Sequence, residues 1–163
     1  MKLLIPSAKE LNEQARIVES QPLSENTKTI LQALRAFSLE ELATFYGISE
    51  ERALVEKERI EALLAGSAKT YPALELFDGL MYRSIERQDL SEKEQAYLQE
   101  HLLITTALYG VLPAYQGIAP HRLDFMMKLK PAGKSLKVLW KEGYDQAVEG
   151  EEQILSLLSS EFD

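Results

Sequence analysis

The residues able to do chemistry in this chain fall in three places. Pro6-Ser7-Ala8-Lys9 follows a short apolar run and offers turn amides, a hydroxyl and an ammonium. Those are the ingredients of an anion site at the carboxyl end of a strand, here without the glycines of a phosphate loop. An ordinary strand-ending turn with a surface lysine accounts for the same residues. Tyr109-Gly110 closes a β-branched apolar run, where a glycine supplies a positive φ or lets another group approach closely. Arg122 and Asp124, spaced i, i+2, either pair with each other or present a cation and a carboxylate to a pocket. From Arg122 to Lys141 the chain holds Arg122, Lys128, Lys130, Lys134, Lys137 and Lys141 against the single acid Asp124, a local charge of +5 in a protein of net charge −8, which leaves −13 elsewhere. A reversal this local marks either a phosphate or nucleic-acid footprint or a solvated basic face.

Several other chemistries are poorly supported. The chain has no cysteine, so disulfides, thiol peroxidase chemistry and sulfur-ligated metals are excluded. The only histidines, His101 and His121, lack Glu-x-x-His or His-x-x-x-His spacing, and no metal or cofactor is expected. Ser7, His121 and Asp124 make a nucleophile set only on paper, since no nucleophile elbow surrounds the serine. No recognisable catalytic constellation results, and whether the protein is an enzyme stays open. Gly47-Ile48-Ser49 between two helical stretches is similar to a helix-hairpin-helix, which grips DNA phosphates with turn amides. The usual second glycine is Ser49 here, and Glu50 and Glu51 would repel phosphate, so two packed helices is the favoured reading.

The elements that must position these residues are legible from periodicity and punctuation. Lys2–Ile5 reads as a buried strand ended by Pro6. Residues 26–36 carry apolar side chains at helical spacing. Ser38 with Glu41, and Ser91 with Glu94, are capping boxes, and Gly47 and Gly66 are helix stops. A helix follows Ser49 to about Ala65, a short one starts at Pro72, and Leu80–Ile85 is ambiguous between strand and helix. Leu102–Leu108 reads as a buried strand and Val111–Pro120 as loop. In Arg122–Lys130, Leu123, Phe125, Met127 and Leu129 alternate with polar residues, the pattern of a strand with one buried face. Lys134–Val148 reads as a helix burying Leu136, Leu139, Trp140 and Ala147, with Trp140 and Phe125 in the core. Gln153–Leu158 reads as a last strand. Together these predict a helix-rich α/β (mixed α+β) fold with a small mixed sheet, in one domain over 1–163. At 45% hydrophobic and 27% charged the composition is that of a soluble globular protein. No stretch is long and apolar enough for a membrane span or a signal peptide, so no membrane contact and a cytoplasmic location are expected.

Several of these segments carry a resemblance. Leu108-Tyr109-Gly110-Val111-Leu112, Pro120-His121-Arg122-Leu123-Asp124-Phe125 and Leu139-Trp140 resemble the "LYGVL … PYRLEM … FW" core of the YaaA family of bacterial peroxide-stress proteins. Leu4-Ile5-Pro6-Ser7-Ala8-Lys9 is similar to that family's opening strand and "SPAK" turn, and the matches run in order over almost the whole chain. His121 stands where the family usually has tyrosine. Leu157–Phe162 is similar to a segment that the family follows with a further C-terminal portion containing more strand and basic residues. Here the chain stops at Asp163, so it reads as a short or fragmentary member.

The resemblance implies a cytoplasmic stress-response protein that limits peroxide damage. With no cysteine and no evident iron or haem ligands, protection would be indirect, through a weak contact to DNA or another phosphate-bearing partner. The candidate anion site is then Ser7, Lys9, Tyr109, Gly110, Arg122 and Asp124. The candidate nucleic-acid surface is Lys128, Lys130, Lys134, Lys137 and Lys141, with Gly47 and Ser49. Two alternatives stand beside it: an enzyme or binding protein for a small anionic metabolite, and a non-catalytic interaction module. The oligomeric state cannot be read from the residues.

Overall fold

The computed structural model describes residues 1–160. Glu161, Phe162 and Asp163, including the end of the Leu157–Phe162 match, lie outside the described residues. In chain order the elements are β1 (Lys2–Pro6), α1 (Glu25–Arg35), α2 (Leu39–Tyr46), α3 (Glu50–Ala65), β2 (Tyr71–Pro72), α4 (Ala73–Leu76), α5 (Leu80–Arg83), α6 (Glu92–His101), β3 (Leu102–Thr106), β4 (Gly110–Pro113), β5 (Gly117–Ile118), α7 (Leu136–Val148) and β6 (Ile154–Ser156). A four-stranded sheet has the order β4-β3-β1-β6, and β2 pairs with β5 in a separate ribbon. β1 runs parallel to both β3 and β6, whereas β3 and β4 are antiparallel. The fold is therefore helix-rich mixed α/β with a small mixed sheet.

The helix ends follow their local chemistry. The Ser38–Glu41 and Ser91–Glu94 boxes form reciprocally, and Gly47 and Gly66 end α2 and α3 in the left-handed conformation. Ser24, Ser49 and Ser135 cap α1, α3 and α7 through their hydroxyls. Two apolar clusters form the core. Ile30, Leu31, Leu34, Leu42, Ile60 and Leu63 of the first three helices pack with Leu108 and Leu123. Ile5, Leu74, Phe77, Tyr82, Ile104 and Leu112 form the second, and Tyr109 touches both. β3, buried at every residue, forms no amphipathic pattern because it is covered on both faces.

Three segments differ from the pattern expected of their sequence, and the ambiguous Leu80–Ile85 resolves toward helix. Arg122–Lys130 is not a strand. Its burial does alternate, with Leu123 and Leu129 buried and Met126 and Lys128 exposed. Asp124 turns the chain, however: its Oδ1 accepts from the Met126 amide at 2.9 Å and its carbonyl from the Met127 amide at 3.3 Å. Arg122 and Asp124 therefore do not share a strand face. Residues 111–120 are not all loop, since they hold most of β4 and all of β5, and Leu80–Arg83 is helical. α7 begins at Leu136 rather than Lys134, because Ser135 caps it. Phe125 and Trp140 are only partly buried, at the margin of the first cluster.

Trp140 nonetheless fixes the β3–β4 turn. Its Nε1 donates to the Ala107 carbonyl at 2.7 Å. Thr27 Oγ1 donates to the Leu108 carbonyl at 2.8 Å, and the Tyr109 amide donates to Thr106 Oγ1 at 2.8 Å. Gly110 has φ 75°, and a Cβ there would lie 2.5 Å from the indole. A positive φ on a residue with a Cβ is strained by about 1–3 kcal/mol, and overpacking adds about 1–3 kcal/mol. Gly110→Ala is expected to lower stability by roughly 2–6 kcal/mol, read from the urea midpoint, with a shift in tryptophan fluorescence. A midpoint unmoved by the substitution would show that the ring is not held against this turn.

Candidate functional site

The carboxyl end of β1 opens the site. The Ser7 amide continues the β1–β3 ladder by donating to the Thr105 carbonyl at 3.1 Å, and Tyr82 Oη donates to the Pro6 carbonyl at 2.6 Å. Thus held, the turn carries Ser7 and Lys9 toward the segment that follows β5. There a cavity of about 120 Å³ is lined by Ser7, Lys9, Tyr46, Phe77, His121, Arg122 and Asp124, among others. Four of the six residues expected to form an anion site thus surround one cavity: Ser7, Lys9, Arg122 and Asp124. Its position outside the carboxyl ends of parallel strands is where open α/β sheets place ligands.

Tyr109 and Gly110 take other positions. The Tyr109 ring forms part of the wall behind His121, 5.4 Å between centroids, and its hydroxyl accepts from the Ala119 amide at 3.0 Å. Burial pushes that hydroxyl's pKa up to about 12, so it stays neutral. Gly110 lies instead on a separate apolar groove of about 300 Å³, with Thr105, Val111, Phe125, Val138, Trp140 and Tyr144, flanked by Lys137 and Lys141.

Inside the site the charges are unevenly matched. Lys9 Nζ stands 3.7 Å from Asp124 Oδ2, but its side chain is 79% exposed, so the pairing is weak. Arg122 makes no hydrogen bond or ion pair among the described residues, and its charge acts on Tyr46 and Glu56. Glu56 is a carboxylate on the apolar face of α3, 7% exposed, held by Arg59 Nη1 at 2.8 Å. Burial raises its pKa against the opposing pull of Arg59 and Arg122. Burial also raises the Tyr46 hydroxyl, with Glu56 adding to it. Arg59 reaches Glu13 as well, at 3.0 Å, so one guanidinium is shared between two acids while Arg122 is left facing the cavity.

Tyr46, Glu56 and Arg59 were not among the residues singled out in the sequence. A signal existed for Glu56, because Ala53, Glu56, Ile60 and Leu63 are the buried positions of α3 and share one face. His121 sits on the wall with its Nδ1 2.9 Å from the Ala119 carbonyl. Asp124 is engaged by Lys9 and by the Met126 amide, not by His121. Ser7, His121 and Asp124 therefore line one cavity without the base–carboxylate link that a nucleophile triad needs.

The nucleic-acid candidates are dispersed. Lys128, Lys130 and Lys134 are exposed, with no carboxylate within 4.0 Å among the described residues. Lys141 pairs with Asp145 at 2.5 Å. Gly47 and Ser49 do not line the cavity. The Gly47 amide bonds back into α2, Ser49 Oγ accepts from the Arg52 amide, and Glu50 and Glu51 occupy the first turn of α3. No helix among the described residues is long and apolar enough to cross a membrane.

His121 makes stability depend on pH. Burial lowers its pKa from 6.5 to about 4, with Arg59 adding to the effect and the Ala119 carbonyl opposing it. Between those values the unfolded chain binds the proton and the folded protein does not, so stability falls as pH falls through that window. The loss is at most roughly 3 kcal/mol. The raised pKa of Glu56 acts in the opposite sense, weakening the fold as pH rises. The His121 part is therefore the difference in urea midpoint, from about pH 7 to about pH 4.5, between the native protein and His121→Phe. Equal slopes in the two proteins would show that the imidazole charges freely in the fold.

The same segments carry the likeness to known proteins. The family described as peroxide stress protein YaaA matches residues 1–163. A UPF0246 protein of Streptococcus gordonii is 57% identical over 163 residues, covering 100% of this chain and 67% of its own length. A UPF0246 protein of Streptococcus pneumoniae serotype 2 is 55% identical over the same 163 residues, with the same shares covered. This chain thus spans about two thirds of the length of those relatives, and within that span Ser7, Lys9, Arg122 and Asp124 all fall in the matched region. The chain belongs to the YaaA family of peroxide stress proteins.

Proposed function

We propose that this protein acts in peroxide stress by holding the anionic group of a phosphate-bearing partner in the cleft between the Ser7–Lys9 turn and Arg122. The observation that carries the reading is Arg122. It lines the cavity and has no bonded carboxylate among the described residues, while the nearby Arg59 is already shared between Glu56 and Glu13. Arg122 is an exposed residue, and a guanidinium free of protein partners among the described residues is suited to phosphate through its planar fork of donors. The Ser7 and Tyr46 hydroxyls line the same cavity, and no bond within the described residues occupies either. The cavity has room for one such group and little more, which supports a terminal phosphate or a small anionic metabolite over a base-reading surface. Protection against peroxide is then indirect, since the chain has no cysteine thiol to oxidise.

Binding of inorganic phosphate to the native protein at low salt tests this reading by calorimetry or amide-shift titration. Arg122→Gln is expected to weaken it by roughly ten- to a hundredfold, the range for a hydrogen bond to a charged group. Lys9→Gln, whose ammonium is mostly in water, is expected to weaken it by less than tenfold. No saturable binding by the native protein, or binding indifferent to Arg122→Gln, would remove the cleft from consideration.

One observation favours a second reading, weak duplex-DNA binding: Lys128, Lys130 and Lys134 are exposed and unmatched by acids among the described residues. Net charge −8 and the acidic first turn of α3 oppose it. If those three lysines meet phosphates, log K falls with log salt at a slope of roughly −2 to −3, and replacing all three with Gln flattens it equally for every sequence. Anisotropy titrations at two low salt concentrations decide, and absence of binding at the lower one would exclude the patch.

A further inference from the structure

We infer that the cleft selects an anion that also carries a hydrogen-bond donor, a protonated oxyanion or a hydroxylated ester, and that His121 Nε2 is the acceptor that makes the selection. The inference rests on the cleft being an anion site. It goes further by naming which anions the site accepts.

The geometry fixes the tautomer. His121 Nδ1 lies 2.9 Å from the Ala119 carbonyl, which can only accept, so Nδ1 carries the proton and Nε2 the lone pair. The ring is held edge-on to Phe77 at 6.2 Å and to Tyr109 at 5.4 Å between centroids. The charged groups around it are Arg59 and Glu56 from α3 and Lys9, Arg122 and Asp124 from the cleft. Burial and the Arg59 charge keep the imidazole neutral at ordinary pH.

Nε2 has no bonding partner among the described residues, and His121 as a residue is only partly buried. Among the described residues, the only side-chain polar atom that is both fully enclosed and unpartnered is Thr105 Oγ1, in the other groove. His121 lines the cleft cavity, and with Nδ1 bonded to Ala119 its Nε2 is the ring nitrogen left to meet a ligand there. Among the other groups there, the Ser7 and Tyr46 hydroxyls can turn to donate to an anion, whereas the His121 lone pair can only accept, and the carboxylates already have partners. Asp124 Oδ1 is used by the Met126 amide and Oδ2 by Lys9, and Glu56 Oε1 is used by Arg59. A fully deprotonated oxyanion seated on Arg122 meets this lone pair as a repulsion. An anion with a P–O–H or C–O–H group meets it as a hydrogen bond.

Hydrogen phosphate and sulfate separate the two cases. At about pH 8 both are tetrahedral and near-dianionic, and only phosphate carries a donor. The native protein is expected to bind hydrogen phosphate roughly tenfold or more tightly than sulfate, the effect of one buried hydrogen bond made against one opposed. In His121→Phe the two affinities converge while sulfate binding persists, and Asp124→Asn keeps the preference. As a check that does not depend on a variant folding, the His121 Nε2 nitrogen shift in the native protein moves on adding phosphate and not on adding sulfate. Equal affinities in the native protein, a preference surviving in folded His121→Phe, or a nitrogen shift indifferent to phosphate overturns the inference and leaves the anion site standing. Failure of both ions to bind the native protein overturns the anion site and the inference with it.

Discussion

The parallel pairing of β1 with β3 is the constraint on which the rest of the structure depends. Leu3 to Pro6 lie beside Leu102 to Thr105 in continuous register, bringing together segments about a hundred residues apart. One further bond, from the Ser7 amide to the Thr105 carbonyl, places the Ser7–Lys9 turn level with the β3–β4 turn. Parallel strands finish at the same end of the sheet, so both chain exits face the same side. The helices arrive around that end: α1 by Thr27, α7 by Trp140, and α3 by Glu56 and Arg59. Ala107 and Leu108 would leave buried carbonyls without ladder partners. Side chains from two distant helices satisfy them instead.

Burial of charge gives the cleft its character. A carboxylate at 7% exposure is expensive unless paired, and Arg59 supplies the pairing. Because Arg59 is divided between Glu56 and Glu13, its charge is already matched by acids. Arg122 keeps its donors available at the cavity while still offsetting the negative charge behind it. Aromatic walls from Phe77 and Tyr109 exclude water from one side and hold the imidazole neutral. Cations, hydroxyls and one uncharged acceptor thus share a small volume, a mixture suited to a ligand with both charge and a donor.

Local signals made much of the scaffold legible. Ser38 with Glu41, Ser91 with Glu94, and Gly47 are short-range devices whose meaning does not depend on the rest of the chain. The apolar runs at Lys2–Ile5 and Leu102–Leu108 became neighbouring strands for the same reason. Arg122–Lys130 misled because its alternation reflects burial alone. A strand also needs a partner edge, and Asp124 turned the backbone before one was reached. Tyr46, Glu56 and Arg59 escaped notice because their importance comes from tertiary packing against His121 and Arg122, some seventy residues away in sequence. The acid on the apolar face of α3 was the one visible hint. Trp140 read as core by its type, while its position at the margin reflects its hydrogen bond to Ala107.

The strand order has a consequence for synthesis. β1 is central, bounded by β3 on one side and β6 on the other, and the Lys2 amide reaches across to the Gln153 carbonyl. The centre of the sheet therefore leaves the ribosome before its neighbours, and neither of them follows for about a hundred residues. At roughly 5–20 residues per second, that is a wait of several seconds or more. Leu4 and Ile5, fully buried at the end, remain uncovered throughout that interval. Folding of this chain is thus obliged to be late and non-local, the regime in which loop closure precedes reward and chaperones have time to act.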